Sequence, residues 1–150
     1  MALADQPPLL TCQGVDKYFG ALAAVRGLDF AIPAGQILGI GGPNGAGKTT
    51  LFDVISGLDP ADSGQIVFDG LPIQRWKPDR ICHAGIARTF QLNAAFDTLN
   101  ALENVLIASY FGRRNRVIPT LHFGKGSKRR ALEAMELVGM ADRADAMVKN

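Results

Sequence analysis

Residues 42–49 read Gly-Pro-Asn-Gly-Ala-Gly-Lys-Thr, and this string constrains the fold more than any other feature of the chain. Glycines at 42, 45 and 47 let the backbone turn tightly, so that successive amide N–H groups face an anion at the start of a helix, where side chains would obstruct. Lys48 is placed to reach the β- and γ-phosphates of a triphosphate as a point charge. The Thr49 hydroxyl is a hard oxygen ligand for a Mg2+ ion that bridges phosphate oxygens. The pattern therefore predicts ATP and Mg2+ as cofactors, held by Gly42, Pro43, Asn44, Gly45, Ala46, Gly47, Lys48, Thr49 and Thr50. Such a loop requires a strand before it and a helix after it. Residues 36–41 form a nearly continuous apolar run, which predicts a strand buried on both faces at the centre of a sheet. Residues 48–56 predict a helix with Leu51, Phe52 and Ile55 on its buried side and Gly57 as its stop.

The remaining elements follow from periodicity and turn residues. Residues 9–15 read as a short strand ended by a loop at 16–20, and residues 28–32 alternate as an antiparallel strand would before the turn at 33–35. Residues 65–73 read as a hairpin around Asp69-Gly70, followed by a helix near 78–84 and a strand over 86–91 ending in Gln91. Leu99, Leu102, Leu106 and Tyr110 have helical spacing within 98–110. Arg113, Arg114, Arg116, Lys125, Lys128, Arg129 and Arg130 make residues 112–130 a basic, solvated connection. A last helix, 127–138, presents Ala131, Met135 and Val138 on one face and stops at Gly139.

Composition narrows the class. A chain of 150 residues, 47% hydrophobic and 20% charged, has room for one globular domain. A net charge of +2 is too small to indicate nucleic-acid binding over the whole surface. Cys12 and Cys82 stand far apart without ligand spacing, so neither a zinc site nor a disulfide framework is indicated, and a reducing cytoplasm fits. No window approaches the roughly 20 apolar residues of a membrane span, so any membrane role is expected to be peripheral. Other features read as structural. Ile66-Val-Phe-Asp69 resembles an apolar strand delivering an aspartate to Mg2+, but the glycine after it favours a hairpin turn. Residues 124–128 lack the spacer and buried strand of a phosphate loop, and His83 and His122 have no ligand or nucleophile nearby in sequence.

Beyond the phosphate loop, the chain resembles one family along almost its whole length, the ATP-binding subunits of ABC transporters. The resemblance is carried by Tyr18-Phe19-Gly20, Gly42 to Thr50, Gly57-Leu58 with Pro60, Ser63-Gly64, Asp69-Gly70 and Arg88-Thr-Phe-Gln91. Within the family, residues 86–91 and 98–104 look most like the subunits of branched-chain amino-acid importers. The resemblance implies an α/β P-loop NTPase core with an N-terminal antiparallel β unit and the start of a helical subdomain. The core would occupy about residues 1–91 and the subdomain about 92–150. It also implies that Phe19, with Tyr18 as neighbour, stacks on adenine, and that Gln91 ligates Mg2+ and, with Lys48, serves catalysis. Transmembrane permease subunits and a second ATPase subunit would be the partners, and the inner face of the cell membrane the location.

The family pattern also includes a signature motif of Leu-Ser-Gly-Gly-Gln type, an apolar strand ending in a magnesium-binding aspartate, a catalytic glutamate and a switch histidine, and none of these is found within residues 1–150. Without the glutamate no group is evident to deprotonate the attacking water, so this stretch by itself is expected to bind nucleotide without useful turnover. The alternatives are a non-catalytic nucleotide-binding regulator and a small P-loop kinase in which Asp69 holds Mg2+. The apolar run at 36–41 wants sheet neighbours that in the family come largely from the absent portion, so residues 1–150 alone are expected to expose apolar faces. The corresponding prediction is a broad thermal transition for residues 1–150 in isolation, followed with and without Mg-ATP; a sharp two-state transition at ordinary temperature contradicts it.

Overall fold

A computed structural model of the protein describes residues 7–90, 95–111 and 125–148. The chain divides into two compact units, Met1–Ala87 and Arg88–Asn150. The first is built on strands β1 (Leu10–Phe19), β2 (Leu22–Ile32), β3 (Ser63–Phe68) and β4 (Leu71–Pro72), with helices α1 (Lys48–Ile55) and α2 (Pro78–Ala84). The strands form one antiparallel sheet in the order β2-β1-β3-β4. The β1–β2 hairpin is longer than expected: the loop read at 16–20 is strand through Phe19, and the chain turns at Gly20-Ala21 between the paired Phe19 and Leu22.

Three register shifts shape this hairpin, and glycine amides mark the first two; the third gives β2 an extra residue, Ala24, between Lys17↔Val25 and Tyr18↔Ala23. Between the pairs Cys12↔Phe30 and Val15↔Leu28, β1 carries one residue more than β2, and between Val15↔Leu28 and Lys17↔Val25 the excess is on β2. A bulge leaves an amide without a ladder partner. At the first two shifts the orphaned N–H belongs to a glycine with positive φ, and each donates to the carboxylate of the residue opposite: Gly14 to Asp29 Oδ1 and Gly27 to Asp16 Oδ1, both at 2.6 Å. The second oxygen of Asp16 accepts the Ser63 hydroxyl at 2.6 Å, which carries the tie on to β3. The first bulge shifts the strand's alternation so that Cys12 and Val15, an odd number of residues apart, are both buried.

The core of this unit comprises Cys12, Val15, Val25, Leu51, Val54, Ile55, Ile66, Ile73 and Ile81. It joins the sheet to α1 and α2, and burying a side chain such as Ile66 contributes about 1.5–3 kcal/mol. Burial also pushes the Cys12 thiol up to about 11, leaving it protonated at neutral pH. On α1 the buried stripe is Leu51, Val54 and Ile55, an i, i+3, i+4 pattern. Phe52, expected inside, lies about 100° round the helix from Leu51 and is 47% exposed. The helix stops as expected at Gly57 (φ 73°), where the Leu58 and Gly57 amides donate to the carbonyls of Asp53 and Val54.

Among the described residues two expected strands are not formed. Residues 36–41 pair with no strand among the described residues, and Ile37 is fully exposed. An extended segment is stabilised as a strand only when a neighbour satisfies its N–H and C=O groups, and apolar character alone does not supply one. Residues 86–90 are likewise outside any sheet.

In the second unit α3 (Ala101–Phe111) and α4 (Lys125–Leu137) enclose Leu106, Tyr110, Ala131 and Met135. Asn100 and Glu103 cap α3 reciprocally: Asn100 Oδ1 accepts the Glu103 amide, and a Glu103 carboxylate oxygen accepts the Asn100 amide. The last helix ends one residue before its expected limit, so Val138 is exposed rather than on the buried face; the Met140 and Gly139 amides close it onto the Met135 and Glu136 carbonyls. Of the basic stretch, Arg113, Arg114 and Arg116 lie outside the described residues, as does His122.

Two hydrogen bonds, from Ser63 first and then from the Gly27 amide, hold the Asp16 carboxyl below its ordinary value of 3.8. A depressed carboxylate contributes stability that is present above pH 3.8 and lost as the pH falls below it through the folded-state value. Asp16→Asn should therefore lower the urea midpoint at neutral pH and reduce the drop seen on acidification to about pH 3; equal acid sensitivity of the two proteins would show that Asp16 does not contribute.

Candidate nucleotide-binding site

The loop at 42–49 leads directly into α1, as its sequence requires. Gly45 and Gly47 adopt φ of 83° and 80°, a region that side-chain-bearing residues rarely occupy. Gly47 is the N-cap of α1, no side chain caps the helix, and its first turn contains no acidic residue. The amides of that first turn have no intrahelical partner, and the end of the helix carries partial positive charge, so the position suits a phosphate. Gly47 is also where the loop rests on the sheet: a Cβ built there would lie 2.0 Å from the carbonyl oxygen of Ala24 in β2.

The Lys48 ammonium folds back over the loop, donating to the carbonyl oxygens of Gly42 at 2.7 Å and Pro43 at 2.6 Å. An ammonium has three donors, so one remains for an acceptor beyond the loop. A cleft of about 310 Å3 lies beside Lys48, between the loop, Leu51 of α1 and the Ala24–Leu28 side of β2. Pro43, Asn44, Gly45, Ala46 and Thr49 are exposed and Thr50 is partly so.

The strand register brings Phe19 into the same neighbourhood. Tyr18 pairs with Ala23 and Phe19 with Leu22, so the end of the hairpin lies about 7 Å along β2 from the Ala24 carbonyl beneath Gly47. Phe19 is 50% exposed and Tyr18 42%. Neither ring belongs to the core, and both offer surface to a ligand. Lys17, Asp16 and Asp62, which surround this end of β1, carry no motif that would mark them in sequence; only the bulged register gathers them.

One hard oxygen donor suited to Mg2+ stands at the start of the helix. Thr49 supplies an exposed hydroxyl at the helix start, a hard oxygen of the kind Mg2+ takes together with phosphate oxygens. No group of three or more His, Cys, Asp or Glu side chains that could hold a metal occurs among the described residues. Asp69 (φ 49°) and Gly70 (φ 74°) form the β3–β4 turn, as the hairpin reading required. Gln91 lies outside the described residues. His83 is a half-buried helix residue whose Nδ1 is 2.7 Å from the Asp79 carbonyl.

With this geometry in place, comparison with known proteins is specific. The sequence profile of the ABC transporter family matches residues 25–150. The lipoprotein-releasing system ATP-binding protein LolD of Bacteroides thetaiotaomicron is 32% identical over 91% of this chain and 60% of its own. The high-affinity branched-chain amino acid transport ATP-binding protein BraF of Pseudomonas aeruginosa is 35% identical over 86% of this chain and 51% of its own. Among solved structures, a nucleotide-free ATP-binding cassette from an ABC transporter superposes with a TM-score of 0.78 at 30% identity, covering 94% of this chain and 58% of the other. A cassette in its ADP conformation gives 0.79 at 29%, covering 95% and 58%. The chain belongs to the ATP-binding family of ABC transporters, with the α/β P-loop NTPase fold and N-terminal antiparallel β unit of that family. It spans 60% or less of the length of LolD and BraF.

Because a Cβ at residue 47 collides with backbone rather than with a movable side chain, Gly47→Val should dislodge the loop from β2. The expected result is loss of measurable Mg-ATP binding and about 2 kcal/mol or more of stability; wild-type nucleotide affinity in this variant would exclude the Gly47–Ala24 contact as a requirement.

Proposed function

We propose that this chain is the nucleotide-binding part of an ABC importer ATPase, whose ATP-driven closure powers uptake of branched-chain or similar amino acids. The observation that carries the reading is the glycine loop seated on β2 at the start of α1, with Lys48 across it and an exposed aromatic at the adjacent hairpin end. In this reading the first-turn amides and Lys48 hold the phosphates, Phe19 stacks on the base, and Thr49 with Gln91 holds Mg2+. Bound Mg2+ would neutralise phosphate charge. Residues 1–91 form the nucleotide core and 92–150 begin a helical subdomain. Permease subunits and a second ATPase subunit are the partners, on the cytoplasmic face of the membrane. No helix among the described residues is long and apolar enough to cross a membrane.

The importer assignment is supported by the wording of residues 86–91 and 98–104 and by the branched-chain amino acid transport proteins BraF and LivG, the latter from Methanocaldococcus jannaschii at 37% identity. The LolD relatives, at similar identity, favour a second reading in which the cassette serves a lipoprotein-releasing system. Uptake of labelled leucine by cells with and without the gene separates the two.

Nucleotide binding is tested on the purified protein by calorimetry. Lys48→Ala should weaken Mg-ATP by at least about tenfold, or 1.4 kcal/mol, with chelation of Mg2+ giving a further loss in the wild type. Unchanged affinity in Lys48→Ala would remove the lysine from the site. Residues 1–150 alone should bind without hydrolysis; turnover restored by a full-length partner subunit supports the transport reading over a binding-only regulator.

A further inference from the structure

Lys17 is a nearly buried cation that the phosphate site does not use. It is 7% exposed, although lysine is among the residues least often buried. Its ammonium donates to the Pro60 carbonyl at 2.9 Å, stands 4.0 Å from Asp62 Oδ1, and lies over the Phe19 ring at 5.4 Å from the centroid. Lys17 and Phe19 are two residues apart on β1 and so share a face of the strand. The other oxygen of Asp62 accepts the Tyr18 amide at 2.6 Å, and the Asp62 amide donates to the Asp16 carbonyl. Every residue from 16 to 18 is thus gripped by the segment that follows α1, and the strand is anchored immediately before Phe19.

We infer that Lys17 is the positioning residue for Phe19, setting the ring's orientation and electronic character for a stacked purine base. This rests on the proposed nucleotide site. Two physical effects act together. A cation within about 6 Å of a ring centroid holds the ring by attraction to its quadrupole, and the ammonium is itself held by a carbonyl and a carboxylate, so the ring inherits a fixed platform. The cation also draws π density toward its own side and leaves the opposite face less negative, which favours stacking of an electron-rich purine. The half-exposure of Phe19 supplies the free surface that such stacking needs. Because Pro60 and Asp62 lie just beyond α1, the helix that begins in the phosphate loop also orients, through Lys17, the surface for the base.

The inference separates base recognition from phosphate recognition, and the test does the same. Affinities for Mg-ATP and for inorganic tripolyphosphate are measured on the wild type, Lys17→Met, Lys17→Arg and Phe19→Ala. A stacked base contributes about 1–3 kcal/mol, so the wild type should prefer ATP by about tenfold or more. Lys17→Met should lose most of that preference while binding tripolyphosphate within about twofold of wild type, and Lys17→Arg should restore it. In a Phe19→Ala background, Lys17→Met should have no further effect on the ratio. If Lys17→Met does not fold, Asp62→Asn, which removes the carboxylate charge beside the ammonium, should lower the preference by about threefold. A wild-type preference that survives Lys17→Met or Asp62→Asn, or an equal loss for both ligands, overturns the inference alone. A wild type that binds tripolyphosphate as tightly as ATP overturns the stacking role of Phe19, and the inference with it. A wild type that binds neither overturns the nucleotide site itself.

Discussion

A Cβ on residue 47 would lie 2.0 Å from the carbonyl oxygen of Ala24, and the absence of one lets the phosphate loop lie directly on β2. Much of the site depends on that contact. It fixes where α1 begins, and therefore where the unpaired amides of its first turn are presented. It also sets the loop against the same strand that, two residues away, pairs with Phe19. The packing of Leu51, Val54 and Ile55 against the sheet then holds the helix from its other side. Glycine has two separate functions here, since position 47 needs both a positive φ and the space that a side chain would fill.

The sheet beneath the loop is far from regular, and its irregularity is organised. The first two bulges of the β1–β2 hairpin each free a glycine amide, and each amide is taken by the aspartate opposite. Gly64 approaches the carbonyl of Gly14 so closely that a Cβ would lie 2.3 Å from it, so β3 can pack at the bulge only without a side chain. Asp16 and Asp62 extend these ties to the segment after α1. Charged side chains at this end of the sheet thus accept backbone donors that the ladder leaves unmatched, which is where a carboxylate is worth most.

Much of the local structure was legible because local rules decide it. The α1 start and its glycine stop, the Asp69-Gly70 turn, the Pro78 opening of α2 and the helical spacing of Leu106 and Tyr110 each depend on residues within a turn or two. The departures from local expectation have a common origin. The run at 36–41 has strand character, but pairing requires a partner that no neighbour in sequence can provide. Phe52 is large and apolar, yet the stripe that faces the sheet runs through Val54 instead. Val138 has the right spacing for the buried face of α4, but the helix ends at Leu137 and the chain turns at Gly139.

The sequence by itself determined that a phosphate-binding loop stands between an apolar segment and a helix, and its wider wording carried the family resemblance, because glycine spacing, a lysine and a threonine are chemical requirements written residue by residue. Tertiary structure alone decided that Gly47 sits on Ala24, that the bulges bring Lys17 to the Pro60 carbonyl and under the ring of Phe19, and that Asp62 anchors Tyr18. These contacts join residues more than 20 positions apart in all but the Lys17–Phe19 pair. Such contacts depend on strand register and on the excluded volume of atoms absent from glycine, neither of which any short stretch of sequence specifies.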